Sequence, residues 1–206
     1  MESALTFELS QAAEANFPSE YGQFRIYGFE GKFRRGDELR VEEAAVITMG
    51  DLSGPPPLLR IHSQCLTGDV FHSLRCDCRA QLEIALEAVG REGRGLIVYE
   101  LQEGRGIGLM NKLRAYELQD KGADTVEANE QLGFESDLRN YRLPAAILNH
   151  LGIAAVKLLS NNPAKVQALE DAGVVVAERV PCIAAEVDSR RSYLETKRDK
   201  MGHLLA

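Results

Sequence analysis

The chain has 206 residues, 45% of them hydrophobic and 27% charged, with a net charge of −7 from 24 basic and 31 acidic side chains. That length suits one domain, and the longest apolar runs fall far short of the ~20 residues that cross a bilayer. An acidic chain with no Trp and no aromatic-rich tract is a poor match to a nucleic-acid polymer, whereas a small phosphorylated ligand needs only a few local cations.

The N-terminal MESALTFELSQAAEANF has neither a basic start nor an apolar h-region, so a secretory signal is not expected and a cytoplasmic location is. Residues 1–20 read as irregular or partly helical. QFRIYGFE (23–30) and ELRVEEAAVITMG (38–50) read as strands, with FRRGDE as the turn between them. SGPPP (53–57) is a breaker, and LLRIHS (58–63) a strand that runs into Cys65. RAQLEIALEAVGREG carries apolar residues at 82, 85, 86 and 89, the stripe of a helix. GLIVYEL (95–101) reads as a buried strand, QEGRGIG as a loop, and NKLRAYELQDKG as a helix that Gly122 can end. ADTVEANEQLGFESDLRNYR lacks clear periodicity and reads mostly as loop. LPAAILNHLG predicts a helix and IAAVKLLS a strand. SNNPAKVQALEDAG predicts a helix with Asn162 as N-cap and Pro163 at its first position. VVVAERVPCIA predicts a strand, and residues 188–206 an exposed amphipathic helical tail. A strand-rich start followed by alternating strands and helices predicts an α/β fold of the mixed α+β kind, with one compact catalytic domain over residues 1–206.

Chemistry concentrates in RIHSQCLTGDVFHSLRCDCRAQ, which holds Cys65, Cys76 and Cys78, three of the four cysteines. A reducing compartment disfavours disulfides and favours metal binding by such a cluster. Three protein ligands on Zn2+ leave a fourth position for water, the arrangement of a catalytic site. Three thiolates would give that site a net negative charge, which Arg75 or Arg79 could offset. Cys76 and Cys78 point the same way if the backbone is extended, but not if it is helical. Two other readings stay open: a closed four-ligand zinc with His62 or His72, and plain burial of unreactive thiols. Cys182, on a predicted strand, reads as core packing.

EGRGIG (103–108) sets three glycines before a helix, where backbone N–H groups can approach an anion and Arg105 can add a bidentate fork. Its spacing is neither the Walker nor the dinucleotide pattern, so alone it reads equally as a tight turn. SNNPAK (160–165) offers a second helix N-terminus with Ser160 and Lys165. Asp137 and Arg139 in ESDLRNYR read by themselves as a surface ion pair, and Tyr116 as half-buried packing.

Taken in order, RIHSQCLTGDVFHSLRCDC, YELQEGRGIGLMNKLRAYELQDKGADTVEAN, QLGF, DLR and LLSNNPAK closely resemble GTP cyclohydrolase II, and the similarity runs from about Tyr21 to the C-terminal MGHLL. Five ordered motifs are far more specific than any one of them. The resemblance implies zinc-dependent hydrolysis of GTP at C8, opening the imidazole ring in the first step of riboflavin biosynthesis. The implied products are 2,5-diamino-6-(5-phosphoribosylamino)pyrimidin-4(3H)-one, formate and pyrophosphate. It further implies one Zn2+ per subunit on Cys65, Cys76 and Cys78, Mg2+ with the triphosphate, and a homodimer. GTP would be bound by Arg60, Ile61, His62, Ser63, Gln64, Gln81, Glu103, Gly104, Arg105, Thr125, Ser160 and Lys165. Asp137 would accept a proton, Arg139 would be the nucleophile at the α-phosphate, and Tyr116 would act in the chemistry at C8.

The chemistry is consistent with this. C8 of guanine can accept a metal-activated water, as a ring carbon does in zinc base deaminases, and a second attack releases formate. Pyrophosphate loss is separate phosphoryl chemistry. A guanidinium stays protonated far above pH 7, so the alternative to attack by Arg139 is charge stabilisation while water attacks, with Asp137 orienting the guanidinium or taking a proton. Position 64 is Gln where the family commonly has Glu, and His72 lies where many relatives carry a small or apolar residue. Gln64 motivates a second reading, the same scaffold with a product that keeps the formyl group, or GMP. A third is a non-catalytic zinc protein that binds the nucleotide as a regulator.

Overall fold

The computed structural model describes residues 6–35, 37–135, 137–185 and 191–204. It opens with three long antiparallel strands, β1 (Thr6–Ser19), β2 (Gly22–Arg35) and β3 (Glu38–Met49). The irregular start expected over residues 1–20 is therefore corrected from Thr6 onward, and residues 1–5 lie outside the described residues. β1 is exposed along nearly its whole length, so it carries no clean apolar alternation to read. Pairing makes it a strand instead: its register runs from Thr6↔Arg34 to Ser19↔Gly22, and Phe7 packs on Phe33 with ring centroids 4.7 Å apart. The turn expected over FRRGDE narrows to its centre, since β2 runs to Arg35 and β3 resumes at Glu38.

After the bend at residues 53–55 come β4 (Leu58–Ser63), the one-turn helix α1 (Leu66–Asp69), α2 (Cys78–Glu92) and β5 (Gly95–Glu100). A 3-10 turn, Glu103–Gly106, leads into α3 (Leu109–Asp120), α4 (Thr125–Gln131) and α5 (Arg142–His150). Then follow β6 (Ala155–Leu159), α6 (Pro163–Asp171), β7 (Val175–Val180) and α7 (Arg191–Met201). Among the described residues no helix is long and apolar enough to cross a membrane.

The segment read as loop after α3 contains α4. Its periodicity is weak because only Ala128 and Asn129 are buried. A capping box starts it instead: the Asp124 side chain accepts from Glu127 N, and the Glu127 side chain accepts from Asp124 N. α6 starts as expected, with Asn162 as N-cap accepting from Ala164 N and Pro163 in the first turn. The C-terminal helix is not simply exposed, because Lys197 is buried. Of the tail expected over 188–206, residues 188–190 and 205–206 lie outside the described residues. Cys182 lies beyond the end of β7, fully buried in the core.

The strands form one mixed sheet in the order β1-β2-β3-β5-β4-β6-β7. β3 meets β5 antiparallel, while β5, β4, β6 and β7 run parallel. β4 shows how both faces are covered. Leu59 and Ile61 enter a cluster with Phe29, Val98, Leu158 and the α5 residues Ile147 and Leu148. Leu58 turns to the opposite face and packs with Ala85 and Val89 of α2. Full burial of each such aliphatic side chain contributes roughly 1.5–3 kcal/mol, so these clusters hold the sheet far more firmly than its surface ion pairs do. Arg60 and His62 share Leu58's parity and are buried at 5% and 2% exposure, so both need polar partners. β4, β5 and β6 end at the same edge of the sheet, the usual place for a ligand in a parallel arrangement. The segments that follow them carry the motifs of the sequence.

Candidate active site

Cys65 follows β4 and caps α1, while Cys78 is the first residue of α2, behind the cap residue Asp77. The three sulfurs lie within 4.8 Å of one another, and Cys65 Sγ is 3.7 Å from Cys76 Sγ. Tetrahedral zinc with bonds near 2.3 Å sets its sulfurs about 3.8 Å apart, so this donor set fits Zn2+. Cys76 and Cys78 converge without the extended stretch expected, because one precedes the helix start and the other opens the helix. Among the described residues no fourth His, Cys, Asp or Glu joins the group. His62 is turned away: its Nε2 faces Asp69 Oδ2 at 3.2 Å and its ring stacks on Tyr99. His72 Nε2 is 2.5 Å from Arg79 Nη1. Gly68 passes so close that a Cβ there would lie 2.9 Å from Cys76 Sγ.

The cation against the sulfurs is Lys112, whose Nζ donates to Cys65 Sγ at 3.1 Å and to Glu103 Oε1 at 2.7 Å. Arg75 instead pairs with Asp120 and lies over the Tyr116 ring, and Arg79 pairs with Glu83. Hydrogen bonds from Cys76 and Cys78, with the charge of Lys112, hold the Cys65 thiol far below its ordinary range; the same sharing pushes Cys76 and Cys78 up. One helical turn beyond Lys112, Tyr116 places its hydroxyl 3.1 Å from Thr67 Oγ1, itself 3.7 Å from Cys65 Sγ. Burial raises the Tyr116 pKa, so its hydroxyl keeps its proton at neutral pH.

Glu103 stitches the glycine loop to this centre. Its Oε2 accepts from Leu66 N at 2.7 Å and its Oε1 from Gly104 N at 2.9 Å. Gly104 and Arg105 both have left-handed backbones, with φ of 62° and 60°. The turn exposes Arg105 O to Leu138 N at 3.1 Å, which docks the DLR segment on the loop. There the Arg139 guanidinium forks onto Asp137, with Nε–Oδ1 2.9 Å and Nη2–Oδ2 2.5 Å. Burial alone would raise the Asp137 pKa, but the bonds from Arg139 outweigh it and hold the carboxylate ionised.

On the opposite wall a polar chain links β4 to the C-terminal helix. Arg60 Nη2 donates to Gln81 Oε1 at 2.6 Å, Gln81 Nε2 to Asp77 Oδ2 at 2.6 Å, and Lys197 Nζ to Asp77 Oδ1 at 2.8 Å. Lys165 donates to Ile61 O at 2.7 Å and sits 5.5 Å above the Tyr141 ring. Burial, then the nearby Arg60 and Arg139, depress its pKa well below that of a free lysine.

The GTP cyclohydrolase II family pattern matches residues 10–181. The chain belongs to that family. Proteins named GTP cyclohydrolase-2 from Shewanella amazonensis and Neisseria meningitidis are each 52% identical over 199 residues, spanning 96% of this chain and 94% and 98% of theirs. One of the same name from Pseudomonas putida is 52% identical over 194 residues, spanning 94% of this chain and 92% of its own.

In this member of the family the site residues expected from sequence gather around one cavity of about 600 Å³. Cys65, Cys76, Cys78, Tyr116 and Arg139 line it. So do Arg60, His62, Ser63, Gln64, Gln81, Glu103, Gly104, Arg105, Thr125, Ser160 and Lys165. Ile61 does not; its side chain is in the core and its carbonyl holds Lys165. Asp137 does not line it either, but is hydrogen-bonded to Arg139, which does. Sequence reasoning missed Lys112, Lys197 and His203, which also line the cavity. The spacing of Lys112 to Tyr116 on one helix was a usable signal, and His203 lies in the MGHLL that closes the resemblance; nothing local marked Lys197.

Proposed function

We propose that this enzyme hydrolyses GTP at C8 and at the α-phosphate, giving 2,5-diamino-6-(5-phosphoribosylamino)pyrimidin-4(3H)-one, formate and pyrophosphate, as the first step of riboflavin biosynthesis, in the cytoplasm and as a homodimer. The observation that carries the reading is the convergence of three sulfurs, Tyr116 and the Arg139–Asp137 fork on one cavity. Cys65, Cys76 and Cys78 would hold Zn2+, which would supply the Lewis acidity that makes water nucleophilic near pH 7. Two waters are consumed at C8, one to open the ring and one to release formate, and a third at the α-phosphate.

The chain's own residues prepare both ends. Lys112 offsets the negative charge of the thiolates. Tyr116 keeps its proton and sits one hydroxyl away from Cys65, placed to protonate the nitrogen released as C8 departs. Asp137 stays ionised and grips Arg139 in two parallel bonds, so the guanidinium remains charged. That favours Arg139 as a clamp on charge at the α-phosphate, with water attacking, over Arg139 as a covalent nucleophile. Arg60, Ser160 and Lys165 bind the triphosphate, whose charge Mg2+ would help to offset.

The test is to incubate zinc-loaded protein with GTP and Mg2+ and to follow formate and pyrophosphate, with mass spectrometry of the pyrimidine. Formate and pyrophosphate together support the reading. A product that keeps the formyl group, or GMP, would show the same scaffold with another outcome. GTP binding without turnover would show a regulator instead.

A further inference from the structure

The C-terminal segment returns to the cavity after α7 and is fastened there at several points. Lys197 reaches Asp77, between two of the sulfur-bearing residues. Lys200 pairs with Asp124 and Glu127 at the start of α4. Past the helix, His203 N donates to Lys197 O at 3.1 Å and Leu204 N to Asn161 O at 2.9 Å, tying the tail to the Ser160–Asn162 segment that leads into α6 and Lys165. Lys197 and His203 both line the cavity.

His203 is placed unusually. Its Nε2 is buried and has no hydrogen-bond partner among the described residues. Leaving a buried ring nitrogen unpaired is costly, and an ordered water or a ligand oxygen at Nε2 would meet that cost. Burial first, then the charges of Lys197, Arg139, Lys165 and Arg105, depress its pKa to about 3. Basic side chains from α7, the DLR segment, α6 and the glycine loop thus surround one imidazole, with the buried Lys165 the most weakly basic of them. A ligand that suits all of them is a polyanion. It adds counter-charge beside the cations, offers an acceptor to Nε2, and relieves the repulsion that adds to burial in keeping the ring neutral.

We infer that His203 is a substrate-binding residue: on binding of the nucleotide its Nε2 donates to an oxygen of the triphosphate, and the C-terminal strap closes the anion half of the cavity. The inference takes the identity of the anion from the GTP reading above. The strap is part of the site, so the phosphate end is built from β4, β6 and the C-terminus together.

The test uses the full-length zinc-loaded protein and inorganic triphosphate as probe, which requires no turnover. His203→Ala weakens triphosphate binding by about tenfold in titration calorimetry, the loss of a hydrogen bond to a charged group, and raises KM for GTP in parallel while bound zinc stays at the parent's level. His203→Gln, which keeps a donor, recovers part of the loss. In the unsubstituted protein, nitrogen-15 spectra of the His203 ring move toward the protonated form as triphosphate is added. Equal triphosphate affinity in His203→Ala and the parent, or a ring signal that does not move, overturns the inference. A parent that binds triphosphate through His203 yet releases no formate from GTP would overturn the functional reading and leave the role of His203 standing.

Discussion

Two single positions test the two proposed reactions separately. Gly68 has room for no side chain, since an added Cβ would press on Cys76 Sγ at 2.9 Å and Cys65 Sγ at 3.1 Å. Gly68→Ala therefore lowers zinc affinity by about 10–100-fold, the scale seen when a metal site's support is disturbed. Formate release falls with the zinc, and metal analysis beside a formate assay reads both. Arg139 is the converse case. Arg139→Ala leaves the sulfurs untouched and removes the forked cation, so pyrophosphate release falls by about 10²–10³-fold with zinc retained. Equal pyrophosphate rates in variant and parent would remove Arg139 from that step. At this scale the sequence motifs named most of the lining. What they could not show is that the polar groups of Gln81 and the carboxylate of Glu103 are already engaged inside the protein, by Arg60 and Asp77 in one case and by Leu66 N and Lys112 in the other.

Elements were legible in the sequence where their own burial wrote the pattern. β4, β5, α2, α5 and α6 pack against the core on stripes or alternations that a local window detects. β1 and α4 owe their shape to partners instead, one to pairing along β2 and the other to its cap, and apolar periodicity is silent about both. The D-x-x-E spacing at Asp124–Glu127 was the signal available for α4. That helix matters to the site because its first residue, Thr125, faces the cavity and its start anchors the C-terminal helix through Lys200. Asp124→Ala removes the cap and the ion pair at once. The expected cost is about 1 kcal/mol, a Tm about 2–4 °C lower for a chain of this size. A cap that served α4 alone would leave GTP binding as it was. Because Thr125 and the strap both depend on this point, KM for GTP rises in the same variant.

Across the whole molecule, motifs from residue 60 to residue 203 meet because three parallel strands end at one edge and the C-terminus folds back over it. No local window contains that return, which is why the cations were legible and their number around one cavity was not. Beside these cations, at the end of β5, lies Glu100. Its side chain is fully buried and its Oε2 is without a hydrogen-bond partner among the described residues. Burial pushes its pKa up to about 8, against the pull of Lys165 and Arg139 and with the added push of Glu42. The folded value lies above that of a carboxyl in the unfolded chain, so between the ordinary carboxylate range and about pH 8 the folded protein holds a proton that the unfolded chain releases. Stability from this group is complete at acidic pH and declines as pH rises through that window. Glu100→Gln keeps the shape of the protonated acid and has no proton to lose. Its Tm declines less than the parent's as pH rises, and stands above the parent's near pH 8. The other titrating groups are common to both chains, so the difference between the two profiles isolates Glu100. Parallel profiles would mean that Glu100 is already ionised in the fold, paired with Lys165 in a cavity whose charges are balanced before the nucleotide arrives.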